Sequence, residues 1–263
     1  MATVKDILSA LEQFAPCSMK MDFDNCGLLA GDGNKNVSKV LLALEITHDV
    51  IEEAKEFGAE LIVSHHPILF SVKNVSTDDL VGSMLVHLLG SGMSAICMHT
   101  NLDAANGGVN DVLASKLGLK VEGVVEVFGN DSNGAAYGLG RFGTVNDTNL
   151  FDFLAFTKNA LNCNGLRYIS ADKPVRKVAV CGGSGSSMLQ LVADLGCDTF
   201  VTGDVKHNGF LDAFDLGINL IDAGHYSTEN VVMPVLENYI KNQFPHLETR
   251  VSVRHTQPEQ YFV

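Results

Sequence analysis

Three short segments of the 263-residue chain carry side chains that bind metal ions, and each follows an apolar run. They are Ser64-His65-His66-Pro67, His99-Thr100-Asn101-Leu102-Asp103 and His225-Tyr226-Ser227-Thr228-Glu229. Imidazole and carboxylate together suit Zn²⁺, Fe²⁺, Mn²⁺ or Co²⁺. Neighbouring side chains on extended backbone point to opposite sides, so His65 and His66 are poorly placed to chelate one ion from within a strand. At a strand end they could serve two adjacent ions, with Pro67 holding His66 extended. Each segment also has a plainer reading: two surface turn histidines, an Asp that caps a turn, and a Glu in the cap region of a helix. If Glu229 opens the following helix, the N-terminal dipole favours its ionised form. Taken together, five or six such ligands are too many for one ion with an open position. They suit two ions about 3.5–4 Å apart, sharing a carboxylate and a bridging water or hydroxide that attacks a bound electrophile. No G-x-S-x-G elbow and no recognisable Cys/His dyad supplies a protein nucleophile instead.

The elements that must position these residues alternate between buried strands and amphipathic helices. Hydrophobic patterning predicts strands over 40–46, 61–64 and 95–98, and helices over 49–57, 79–89 and 109–117. Such an order implies parallel strands with helical crossovers. Between about 121 and 145, two β-rich runs flank Gly129-Asn130-Asp131-Ser132-Asn133-Gly134, a hairpin signal that adds antiparallel pairing, and a helix over 150–161 follows. At the N-terminus, Val4, Ile7, Leu8 and Leu11 form one helical stripe, with Thr3 as N-cap and Pro16 as stop.

The second half repeats the first. Lys39-Val-Leu-Leu-Ala-Leu-Glu-Ile-Thr47 is echoed by Lys177-Val-Ala-Val-Cys-Gly-Gly-Ser-Gly185, and Gly58-Ala-Glu-Leu-Ile-Val-Ser64 by Gly196-Cys-Asp-Thr-Phe-Val-Thr202. The expected fold class is α/β: two related α/β halves with mixed sheets flanked by helices, and the metal site in the cleft between them. The expected division is 1–125 plus 230–263, against 126–229.

Three further segments have a functional and a plain reading. Cys181-Gly-Gly-Ser-Gly-Ser-Ser187 reads as a phosphate cradle or as a tight turn with a serine cap; it lacks G-x-G-x-x-G spacing and the Walker Lys-Ser/Thr. Asp22-Phe23-Asp24-Asn25 reaches the site or forms an Asx turn, the turn being favoured. Asp204-Val-Lys206-His207 stands at the repeat position of His65 and His66 and could support the ligands or bind substrate.

Composition narrows the partners. Apolar residues make up 46% and charged residues 19%, a globular balance. The formal charge of −13, with no Lys/Arg cluster longer than a pair, disfavours a nucleic acid polymer and an anionic membrane. No apolar run reaches the ~20 residues needed to span a bilayer. The N-terminus reads as a helix rather than a signal peptide, so a cytoplasmic protein with six reduced, mostly structural cysteines is expected.

Several motifs in one order resemble the dinuclear-metal-centre family labelled GTP cyclohydrolase I type 2-like. They are Met21-Asp-Phe-Asp-Asn25 with Gly27-Leu28-Leu29, Ser64-His-His-Pro67, and His99-Thr-Asn-Leu-Asp-Ala104 with Gly107-Gly-Val-Asn-Asp111. Thr202-Gly-Asp204 and Asp222-Ala-Gly-His-Tyr-Ser-Thr-Glu229 complete the set. The resemblance covers essentially the whole chain. It implies a toroidal homohexamer of two-domain protomers with metal pairs facing an internal cavity. The implied metal ligands are His65, His66, Asp103, His225 and Glu229, with Glu229 the bridge and His99 an outer-shell or substrate-side group. Phe23, Cys26 and Glu45 stand where the family usually has Trp, Val and Asp.

These readings lead to a metal-dependent hydrolase with two divalent ions per chain, acting on a small molecule or nucleotide. In the cyclohydrolase version the attacked centre is C8 of guanine, with His99 or a neighbouring acid such as Glu229 moving protons. The alternative is a non-catalytic hexameric adaptor or metal store.

Overall fold

Thr3 and Asp6 close a reciprocal capping box over the first helix, Val4–Phe14, whose Val4, Ile7, Ala10 and Leu11 are buried. The helix ends where Pro16 stops it, with the Ala15 N–H returned to the Leu11 carbonyl. This is a computed structural model, and it describes residues 1–71 and 74–262. The chain divides into two compact units: Met1–Leu102 with Met233–Thr256, and Asp103–Val232 with Gln257–Val263. The division falls at 102/103, before the boundary at 125 drawn from sequence, because helix Val109–Lys116 packs on strands Ala136–Thr148 and Val175–Ser184.

Unit 1 is built on a five-stranded sheet in the order Glu248–Val251, Lys39–Ala43, Leu61–Ser64, Ser94–Cys97, Gly27–Ala30. The first four strands are parallel and the last is antiparallel. The three central strands are buried because helices His48–Phe57 and Leu80–Gly90 cover them with Val50, Ile51, Ala54, Phe57, Leu85 and Leu88. Thr47 and Asp79 cap those two helices, and Gly58, at φ 78°, ends the first.

Unit 2 holds a six-stranded mixed sheet. Its order is Lys120–Asn130, Ala136–Thr148, Val175–Ser184, Thr199–Gly203, Asn219–Asp222, Arg167–Ile169, with the Val175, Thr199 and Asn219 strands parallel. The expected hairpin is present. Its turn is closed by Asp131, whose carboxylate accepts the N–H groups of Asn133 and Ala135. Helix Leu150–Ala160 packs Phe153 and Leu154 beside Val178, Val180 and Ile221.

The internal repeat extends to individual hydrogen bonds. In unit 1 the Glu60 carboxylate accepts the Ser38 and Lys39 N–H groups, and Lys39 Nζ donates to the Phe57 carbonyl. In unit 2 Asp198 accepts the Arg176 and Lys177 N–H groups, and Lys177 Nζ donates to the Leu195 carbonyl. Each acid thus fastens the start of one strand to the start of the next, which sets the register and with it the position of the carboxyl ends.

One expectation is corrected. Cys17 and Cys26 are joined in a disulfide, because the turn Cys17–Met19 and the approach to strand Gly27–Ala30 bring their Cα atoms to 6.2 Å. Cys97, Cys163, Cys181 and Cys197 are buried free thiols. Among the described residues, no helix is long and apolar enough to cross a membrane.

Candidate metal centre

In unit 1 the parallel register aligns Ala43, Ser64 and Cys97 at one edge of the sheet. The residues that follow Ser64 and Cys97 therefore leave the sheet side by side. His65 is fully buried, and its Nδ1–H donates to the Met98 carbonyl at 2.8 Å. A carbonyl can only accept, so this bond assigns the proton to Nδ1. His66 Nδ1 lies 3.0 Å from Glu45 Oε1, and the other oxygen of Glu45 meets His255 Nε2 at 3.2 Å. These two histidine contacts hold the Glu45 carboxyl well below the usual carboxylate range. His99 Nδ1 lies 2.6 Å from Asp24 Oδ1, and the other oxygen of Asp24 accepts the Thr100 N–H. Burial alone would raise the Asp24 pKa, but the bonds from His99 and Thr100 outweigh it and hold the group ionised.

The three rings gather closely, with centroids 5.0 Å apart for His65–His66, 5.3 Å for His65–His99 and 5.5 Å for His66–His99. One ligand nitrogen from each lies within 4.8 Å of the others. The strand stops at Ser64, so strand alternation no longer separates His65 from His66. His99 stands among these possible ligands as closely as the other two. Asp24 reaches His99, the less favoured of the two expectations, and its bond from the Asn25 N–H spans one residue and is not an Asx turn.

In unit 2, His225 and Glu229 lie one turn apart on the short helix His225–Glu229, with Nε2 and Oε2 2.9 Å apart. Glu229 ends that helix and precedes Met233–Gln243 by a 3-10 turn, so it is not in the first turn of the long helix and the dipole argument does not apply. His225 Nδ1 meets Asp204 Oδ2 at 2.7 Å. Asp204 adopts φ 52°, in the left-handed region that Asp enters more readily than most non-glycine residues. Burial would depress the His225 pKa, but the bonds to Glu229 and Asp204 prevail and raise it to about 10. Of the Asp204–His207 segment, Asp204 supports His225, while His207 opens helix His207–Leu216.

Asp103 is held by its backbone: the buried Asn110 donates to the Asp103 carbonyl and accepts the Gly182 N–H. Arg141, 1% exposed, grips Asp111 through two bonds and donates to the carbonyls of Gly138 and Gly140, fixing the following turn. Burial, followed by the charges of Asp103 and Glu229, pushes the Cys181 thiol well above its ordinary value, which makes it an inert neighbour.

The glycine-rich loop is not a phosphate cradle. Its Gly182, Gly183 and Gly185 N–H groups are given to the side chains of Asn110, Thr228 and Thr202. Nor is it a serine-capped turn, because it continues strand Val175–Ser184 and the 3-10 turn after it has no side-chain cap. Its glycines provide clearance: a Cβ on Gly183, at φ 62°, would stand 2.2 Å from Glu229 Oε1. The sequence signal for that recess is the Gly-Gly pair at the end of an apolar strand.

All four candidate histidines thus share one arrangement, with Nδ1 fastened to a carbonyl or carboxylate oxygen, the kind of anchoring that orients an imidazole; in His225 the Nε2 faces Glu229. The donor set is imidazole and carboxylate, which fits zinc or a first-row divalent ion rather than calcium or magnesium.

Fold and site together define a two-unit α/β protein with histidine and carboxylate groups at the carboxyl ends of its strands. The family model for Duf34/NIF3 (NGG1p interacting factor 3) matches residues 2–259, and the chain belongs to that family. It is 34% identical to a Clostridium perfringens protein named GTP cyclohydrolase 1 type 2 homolog, over 91% of this chain and 92% of the relative. Among solved structures it resembles Staphylococcus aureus hypothetical protein SA1388, with TM-score 0.90, 31% identity and 99% of each chain covered. It also resembles reduced HcgD from Methanocaldococcus jannaschii, with TM-score 0.80, 28% identity, and 95% and 97% of the two chains covered.

Proposed function

We propose that this chain is a metal-dependent hydrolase of a small molecule or nucleotide, holding two divalent ions through His65, His66, Asp103, His225 and Glu229. The observation that carries the reading is the common anchoring of Nδ1 in four histidines, an arrangement that orients imidazoles as ligands. When bound, the ions would supply Lewis acidity and an activated water, which is why no protein nucleophile is required. The protein's own residues do the rest. Met98, Glu45, Asp24 and Asp204 hold the proton on each Nδ1. Gly183 leaves room for Glu229, the carboxylate assigned to bridge. His99, tied to Asp24, presents Nε2 beside His65 and His66, where it could accept a proton from a reacting group or add a ligand. The names of the relatives support ring opening of a guanine nucleotide as one version of this chemistry.

A second reading, a hexameric adaptor or metal store, is favoured by one feature. Helix Leu80–Gly90 leaves Leu80, Val86 and Leu89 at 70%, 42% and 45% exposure, an apolar surface suited to self-association. A cytoplasmic homohexamer belongs to both readings. Elemental analysis of protein purified without chelator or metal-binding tag tests the ligand set, with His65→Ala and Glu229→Ala each expected to lose metal while staying folded. Retention of two ions per chain by both variants would overturn it. Turnover of a nucleotide panel that depends on metal favours the hydrolase, and its absence the adaptor.

A further inference from the structure

Strand Glu248–Val251 runs parallel to Lys39–Ala43, with Val251 opposite Leu42. Both segments therefore leave the sheet of unit 1 at the same edge, and the Ser252 N–H still donates to the Leu42 carbonyl at 2.7 Å. Beyond that point the tail is neither strand nor helix, and a buried acid holds it instead. Glu53, on helix His48–Phe57, accepts the Ser252 hydroxyl and the Val253 and Arg254 N–H groups. Burial would raise the Glu53 pKa, but these bonds outweigh it and hold the group below its ordinary value. Taking a carboxylate out of water is costly unless it is bonded, and the bonds that offset this cost come from three successive tail residues. Arg254 adds an ion pair to Glu56 on the same helix, and the His255 N–H turns back to the Ser252 hydroxyl at 3.2 Å.

This anchoring places one side chain. The His255 ring is 8% exposed, and its Nε2 lies 3.2 Å from Glu45 Oε2, across 210 positions of the chain. The other oxygen of Glu45 meets His66 Nδ1 at 3.0 Å. Glu45 stands outside strand and helix and its side chain is 48% exposed. With the His66 contact alone, a side chain of several rotatable bonds would be free to turn towards water. The contact from His255 on the second oxygen removes that freedom. We infer that His255 is a positioning residue of the metal centre: it fixes Glu45, Glu45 fixes the His66 ring, and Glu53 secures the tail that brings His255 within reach. The inference rests on the reading of His66 as a metal ligand for its purpose, though not for its geometry.

Chelator competition for Zn²⁺ on the full-length protein tests this chain of contacts. His255→Ala should lower the affinity by about tenfold, the lower end of the cost of removing a ligand's support. In His255→Gln an amide N–H replaces the ring N–H, and affinity should return to within about threefold of the parent. Because His255 acts through Glu45, the double variant His255→Ala/Glu45→Ala should bind no more than about twofold more weakly than Glu45→Ala alone. Crystal structures of the chelator-treated parent and His255→Ala give a readout that needs no metal: Glu45 should leave His66 in the variant. Unchanged Zn²⁺ affinity in His255→Ala, losses that add in the double variant, no recovery in His255→Gln, or a Glu45–His66 contact that survives in metal-free His255→Ala would each overturn the inference. Failure of the metal reading looks different: the parent takes up no Zn²⁺, while Glu45 still leaves His66 in His255→Ala.

Discussion

Asp24 and His99 meet at 2.6 Å although 75 positions separate them in the chain, and the Asp24 side chain has no exposed surface. A polar segment before strand Gly27–Ala30 thus sets the orientation of a candidate ligand that follows strand Ser94–Cys97. In Asp24→Asn the side-chain carbonyl can still accept from Nδ1–H, but the charge is lost. Metal affinity should fall by about 10- to 100-fold, the usual effect of removing such a support. Chelator competition would measure this, and an unchanged affinity would remove Asp24 from the site.

Gly183 and Gly196 separate the cost of clearance from the cost of conformation. Both adopt left-handed backbone, but a Cβ on Gly196 has no atom within 4 Å, whereas on Gly183 it meets Glu229. Gly196→Ala should cost about 1–2 kcal/mol of stability, the strain alone. Gly183→Ala should cost more and also lower metals per chain. Equal thermal shifts with full metal content in both would show that the recess does not serve Glu229.

Glu60 supplies a pH-dependent part of the stability of unit 1. Burial would raise its pKa, but the Ser38 and Lys39 N–H groups and the Ser38 hydroxyl outweigh that and lower it below 4.5. A depressed folded pKa gives stability that is present above the unfolded pKa and lost as pH falls through the folded value. Glu60→Gln should therefore lower stability at neutral pH, with the difference from the parent shrinking below about pH 4. Urea unfolding at the two pH values would show this; a cost independent of pH would contradict it.

The Cys17–Cys26 bond predicts four titratable thiols in denatured, unreduced protein and six after reduction. Closing so short a loop should contribute about 2–3 kcal/mol, read as a lower melting temperature with reductant. Six thiols before reduction would show that the pair is not bonded in the isolated protein.

Added Zn²⁺ should raise the melting temperature of chelator-treated protein, since an ion that binds only the folded state at 100 times its Kd stabilises it by about 2.7 kcal/mol. The gain should vanish in Glu229→Ala. A similar gain in that variant would place the ion elsewhere.

Much of the scaffold was legible in the sequence because its signals are local. The capping box at Thr3, the Asp131 turn, and the alternation of apolar strands with capped helices depend on residues a few positions apart. The repeat was legible because Lys39 and Lys177, and Glu60 and Asp198, perform the same bonds. Contacts between distant segments were not. Nothing in the spacing of Asp24 and His99 announces their bond, and the cysteine pair depends on how a turn folds back. The purpose of Gly182 and Gly183 could be seen only once Glu229 stood against them. Of the three departures from the resembling family, Cys26 forms the disulfide and Glu45 spans His66 and His255; Phe23 stays 65% exposed.

In the repeat, Glu45 and Gly183 occupy the same place, six residues after the matching Lys39 and Lys177. One is a carboxylate that fastens a histidine, and the other is a gap that admits a carboxylate. The two copies of the segment therefore differ in kind at this position: exchanging the residues, Glu45→Gly or Gly183→Glu, would remove the anchor from one unit or fill the recess in the other.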